Sequence, residues 1–112
     1  MSLDWFNTFS GAISVCDADF TTVAMNEKAA QIFEKSGGTG LIGKNLLDCH
    51  PEPAQEKLRA ILATGKPNVY TIEKNGIKKL LYQAPLMEAG VCKGLIELIL
   101  ELPEDMPHFK RD

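Results

Sequence analysis

The chain has 112 residues, 45% of them hydrophobic and 24% charged, with a formal net charge of -3. That is one domain with a modest core. The acidic balance and scattered Lys and Arg exclude a nucleic-acid backbone as an expected partner, and no apolar run has the roughly 18 residues a membrane helix needs. Three cysteines, Cys16, Cys49 and Cys92, lie far apart with neither disulfide-framework nor zinc spacing, so free thiols in a reducing cytoplasm are expected. The N-terminus lacks a basic stretch followed by an apolar one, so no signal peptide is expected.

Residues 1–10 read as a cap segment. Trp5, Phe6 and Phe9 fall largely on one side of a short helix over Leu3 to Phe9. They either plug one end of the core or share an apolar patch with a second copy. Ile13 to Phe33 organises the rest. Small and β-branched residues alternate up to Cys16 and predict a first strand. Asp17-Ala18-Asp19 gives a turn, and Phe20 to Met25 suits a second strand. Asn26 stands at a helix N-cap with Glu27 in the first turn, and Ala29, Ala30, Ile32 and Phe33 form the apolar face of that helix.

Three glycines between Ser36 and Gly40 end the helix; Walker spacing is absent, so a phosphate loop is not indicated. Asn45 to His50 predicts a one-turn helix stopped by Pro51. A longer helix starts near Pro53, with Ala54, Leu58, Ile61 and Leu62 inward, and ends at Thr64-Gly65. Val69 to Leu86 reads as a hairpin about Asn75-Gly76, a type I′ signal. That loop sets Glu73 opposite Lys78, Tyr70 opposite Leu81 and Val69 opposite Tyr82. Pro85 marks a bulge, an edge or the strand's end. Glu88-Ala89-Gly90 and Lys93-Gly94 bracket a turn, and Leu95 to Leu102 is the last strand. Its Ile96, Leu98, Leu100 and Leu102 face is wholly apolar and is expected to bury, leaving Glu97 and Glu101 to solvent or a partner. Residues 103–112, with two prolines, form a tail. The sum is an α+β layer: a five-stranded antiparallel sheet with helices inserted between strands two and three and packed on one face.

The apolar strand into Asp17, the Asp-x-Asp turn, the strand into Asn26, Ala29-Ala30 before Ile32-Phe33, and the Gly43-Lys44 step resemble the PAS domain family over residues 11–102. The resemblance implies a sensory or regulatory domain in signal transduction, without enzyme activity of its own. It would bind a small molecule between sheet and helices, form a homodimer through a cap such as Trp5, Phe6 and Phe9, and regulate a kinase, cyclase or transcription factor in cis or trans. The expected lining residues are Ile13, Val15, Asn26, Phe33, Leu58, Leu62, Tyr82, Ile96 and Leu98, each also an ordinary core position. The alternatives are a ligand-free interaction module and a haem- or redox-responsive domain using Cys49-His50.

No cofactor is required by the sequence. His50 is the haem-ligand candidate, with Cys49, Cys16 or Met87 as a second axial ligand. The bland alternative for His50 is a side chain satisfied by backbone at a helix-to-proline junction. The Asn-Cys-Arg-Phe motif of flavin photosensors is absent, and Asp17 and Asp19 are explained by turn chemistry. No Ser-His-Asp set, His-Glu-x-x-His or Cys-x-x-Cys occurs.

Overall fold

The structure, a computed structural model, describes residues 4–112, the Cys49 side chain excepted. The expected N-terminal helix is α1, Trp5–Thr8; Leu3 lies outside the described residues. Then come β1 (Ala12–Asp17), β2 (Thr22–Met25) and α2 (Glu27–Ile32). Three 3₁₀ turns follow at Glu34–Ser36, Gly38–Leu41 and Leu46–Cys49, leading to α3 (Glu52–Thr64). The chain closes with β3 (Asn68–Lys74), β4 (Ile77–Glu88) and β5 (Val91–Glu101). The strands form one antiparallel sheet in the order β2-β1-β5-β4-β3.

Local chemistry sets each element. Asp17 Oδ1 accepts from the backbone N–H of Asp19 and of Thr21, which closes the first turn. Phe20 takes a left-handed φ of 66° to turn its ring into the core, so β2 begins at Thr22, two residues later than expected. Asn26 caps α2 as expected, but it does more. Its main-chain carbonyl is diverted to accept from Ala30 N at 3.1 Å as a helix bond. Its side-chain Oδ1 stands in for that carbonyl in the sheet, accepting from Ile13 N at 3.0 Å as well as from Ala29 N at 3.0 Å. Nδ2 donates to Gly11 O at 2.9 Å, so the buried side chain ties β1 to α2 with all its bonds directed at backbone.

The β3–β4 hairpin has the expected register, with Glu73 opposite Lys78, Tyr70 opposite Leu81 and Val69 opposite Tyr82. Asn75 and Gly76 have φ of 54° and 78°, the two left-handed residues that a type I′ loop requires. At Pro85, β4 has run past the end of β3, so the missing N–H costs no bond on that side; the bulge falls at Leu86/Met87. The second hairpin turns at Ala89-Gly90, while Lys93-Gly94 lies inside β5 rather than in a turn. Gly94 is there because β1 crosses too close: a Cβ at this position would overlap the Cys16 carbonyl oxygen.

One expectation about β5 is reversed. Leu95, Glu97 and Ile99 face the helices, and the wholly apolar Ile96, Leu98 and Leu100 stand on the sheet's other face. The core shows this. Leu81 and Ile99 pack with Ala12, Met25 and Ala29, supported by Phe33. Leu95 packs with Cys16, Phe20, Leu58 and Ile61, supported by Leu62. Apolar content did not decide the buried face, because the polar Glu97 is bonded inside by Gln83 on the neighbouring β4.

Candidate functional site

A cleft of about 360 Å³ opens between α3 and the inner face of β3 and β4. Its wall carries His50, Lys57 and Leu58, with Pro51, Pro53 and Ala54; its floor carries Asn68, Tyr70 and Gln83. The floor continues as a polar row. Asn68 pairs with Gln83 in the ladder, Gln83 with Glu97, and Glu97 with Ser14, so four strands present polar side chains at one level. Asn68 Nδ2 donates to Gln83 Oε1 at 2.9 Å, and Gln83 Nε2 donates to Glu97 Oε2 at 2.7 Å. The Leu81/Ile99 cluster lies on one side of this row and the Leu95 cluster on the other. An interior that could have been continuous is interrupted by four polar residues. Burying such groups is unfavourable unless they are paired, and sites that break the local rule are where function is expected.

Glu97 is the electrostatic centre. Burial pushes its carboxyl above the ordinary carboxylate range, opposed by the Gln83 bond and then by His50. Its charge reaches outward in turn. The Tyr70 hydroxyl is pushed up by burial and by Glu97, and the Cys16 thiol is pushed up to about 11, mainly by burial. Beside Glu97 a second cavity of about 20 Å³, bordered by Ser14 and Thr22, has room for about one water.

The wall is held by α3. Asn45 Oδ1 accepts from Leu47 N to start the 3₁₀ turn. Gln55 Nε2 donates to the carbonyls of Leu47 and His50 at 2.9 and 2.8 Å, tying that turn to the helix. His50 Nδ1 lies 2.8 Å from the Leu46 carbonyl. A carbonyl only accepts, so Nδ1 carries a proton and donates to it.

Of the expected lining residues, Leu58 borders the cleft. Ile13, Tyr82, Ile96 and Leu98 share the outer face, as the pairs Ile13–Leu98, Tyr82–Leu98 and Val15–Ile96 require. Val15 stands at a bulge and borders the small cavity. Asn26 is engaged in the α2 cap, Phe33 packs on the first cluster, and Leu62 on the second. Asn68, Gln83 and Glu97 were missed. The hairpin register, carried one residue past Val69, places Asn68 opposite Gln83 beside the apolar Leu81 and Tyr70, and that was the available signal.

Trp5 and Phe9 are exposed at 53% and 42%, with Phe6 half-buried edge-on to Trp5 at 6.1 Å. Cys16 and Cys92 are free thiols. Among the described residues no three His, Cys, Asp or Glu side chains converge as a metal site, and no helix is long and apolar enough to cross a membrane.

No family model matches the sequence, and no curated protein does. Solved structures match well. A sensory box sensor histidine kinase from Vibrio cholerae is 18% identical, with a TM-score of 0.65 over 89% of this chain and 88% of the other. The Aer2 receptor from Vibrio cholerae, a dual PAS-heme oxygen sensor, is 16% identical, with a TM-score of 0.65 over 84% of this chain and 96% of that one. The PAS domain of the histidine kinase ThkA is 19% identical, with a TM-score of 0.66 over 80% and 97%. Likeness at these identities is likeness of fold, and it agrees with the strand order and with the helices between β2 and β3: this chain is a PAS-fold domain.

Proposed function

We propose that the domain is a non-catalytic sensory module of a cytoplasmic signalling system, and that a small molecule in the cleft between α3 and the sheet sets its state. The observation that carries this reading is the polar row Asn68–Gln83–Glu97 on the floor of that cleft. A ligand contacting both the sheet and the His50–α3 wall would change how tightly the two are held together, and it shifts a signalling equilibrium only by its differential affinity for the two states. Sensor histidine kinases among the structural neighbours support a signalling output; a kinase, cyclase or transcription factor in cis or trans would receive it. Native mass spectrometry of freshly purified protein, beside the denatured sample, tests the reading. Extra mass lost on denaturation, and lost from an Asn68→Leu variant, is expected. A ligand retained by that variant would move the site away from the row, and bare protein would favour a ligand-free interaction module.

The exposed Trp5 and Phe9 favour a homodimer, with Tyr82 of the outer sheet face exposed as well. A monomer mass by light scattering at high micromolar concentration would remove it.

Haem is the alternative ligand that His50 suggests, since an axial imidazole typically commits its other nitrogen to a carbonyl. The surrounding residues do not fit it. Leu58, Ile61 and Leu95, each 2% exposed, fill the space between α3 and the sheet where a porphyrin would lie. The adjoining floor is carboxamide and carboxylate, Cys16 is packed in the core, and Met87 is exposed on β4.

A further inference from the structure

If the cleft is the sensory site, its floor specifies the chemistry of the ligand. Glu97 presents Oε2 to Gln83 as a hydrogen-bond acceptor. Glu97 therefore fixes which end of the Gln83 carboxamide turns toward it, and Nε2 donates to Glu97 Oε2 at 2.7 Å. Gln83 Oε1 then faces the opposite way and accepts from Asn68 Nδ2 at 2.9 Å. Asn68 ends the chain at the cleft. With one N–H committed, it keeps an N–H donor and its Oδ1 acceptor for an occupant. The polarity of that amide edge is thus dictated from two strands away. His50 turns Nδ1 away to the Leu46 carbonyl, and the prolines, Ala54 and Leu58 add apolar wall.

The charges around the cleft disfavour a charged occupant of either sign. An anion drawn by Lys57 on the wall meets the acceptor oxygens of the Glu97 carboxyl group behind the floor, and a cation meets Lys57. A neutral ligand avoids both penalties. The volume is at the small end for a ligand site, so the ligand is small.

We propose that the cleft binds a small, uncharged, cyclic amide-like molecule whose adjacent N–H and C=O pair with the Asn68 carboxamide edge, and that Glu97 is the positioning residue that orients this edge. Glu97→Gln would put there a carboxamide that can donate or accept. Gln83 could then reverse, and Asn68 would commit Oδ1 instead of an N–H, losing its acceptor toward the cleft.

Three probes of similar size differ in charge: δ-valerolactam, cyclopentanecarboxylate and piperidinium. Each is titrated into the ¹⁵N-labelled protein while the backbone amides around His50 and the side-chain amides of Asn68 and Gln83 are followed. The lactam is expected to saturate these signals with a Kd about ten-fold or more below either charged probe. Glu97→Gln should raise the lactam Kd by about five-fold or more, while Lys35→Gln, exposed and outside the cleft, leaves it within about two-fold. If Glu97→Gln does not fold, Asn68→Leu takes its place and should abolish lactam binding. A charged probe that binds these residues as tightly as the lactam overturns the ligand class and leaves the cleft standing as the sensory site. No saturable shift with any probe overturns both. Equal lactam affinity in wild type and Glu97→Gln overturns the role given to Glu97.

Discussion

Replacing Asn26 by Ala should damage this fold more than any other single polar-to-alanine change. Asn26 is 1% exposed and makes three hydrogen bonds through its side chain, all to backbone. Alanine would leave the N–H groups of Ile13 and Ala29 and the carbonyl of Gly11 unpaired in the interior. Each buried group left without a partner costs about 1–3 kcal/mol, so three cost about 3–6 kcal/mol once some relaxation toward water is allowed. That is a large share of the ~5–15 kcal/mol holding an ordinary domain together. Asn26→Asp separates the components. Read at a pH below about 4, where the carboxyl is neutral and no charge is buried, it keeps both acceptor bonds, loses the amide donor to Gly11 O, and should cost about 1–3 kcal/mol. Urea unfolding followed by Trp5 fluorescence and by circular dichroism reads both variants. With a slope of about 1.5 kcal/mol per M, the alanine midpoint should fall by about 2–4 M at unchanged slope. A loss under ~1 kcal/mol for alanine would refute the reasoning, as would an aspartate variant as unstable as the alanine.

Gly94→Ala should cost about 1–3 kcal/mol, because the new methyl would overlap the backbone oxygen of Cys16 and either β1 or β5 must shift; a melting temperature within about a degree of wild type would contradict this. Glu97→Gln should alter the pH dependence of stability. The raised pKa means that the folded protein holds the Glu97 proton more tightly than the unfolded chain, so stability falls as pH rises from 4.5 through the raised value. The glutamine variant should therefore gain on wild type across that window, and parallel curves from urea titrations at several pH values would exclude this. With its pKa at about 11, buried Cys16 should resist iodoacetamide at pH 8 until the protein is unfolded; peptide mapping that finds it alkylated in native protein as fast as in denaturant would show that the β1–α3 packing opens readily.

Local signals carried most of the architecture. The Asn75-Gly76 loop determined the β3–β4 register to the residue, since period and turn type leave one solution. The Asn26 cap and the Asp17 turn were legible because their partners lie within four residues. The sheet bond from Asn26 to Ile13 was not, because a side chain replacing a main-chain carbonyl has no sequence signature. The face of β5 misled for a related reason. Glu97 looks like a solvent residue by type, and its burial depends on Gln83, which is fourteen positions away, and through it on Asn68. Gly94 resembled a turn glycine until β1 was seen to cross it. The lining residues expected from the outer face, Ile13, Tyr82, Ile96 and Leu98, share that same inverted parity.

The polar row also has a mechanical meaning. Apolar packing does not run unbroken through the interior, so the half under α2 and the half under α3 can loosen separately. Amide exchange should then separate into two groups: α2 with the Ala12 end of β1, and α3 with the Cys16 end. Core substitutions in opposite halves, such as Ala29 and Ile61, should have additive effects on stability. A molecule seated against α3 would stiffen one half while the other kept its native fluctuations, so the domain could report occupancy as a difference in rigidity between its two ends.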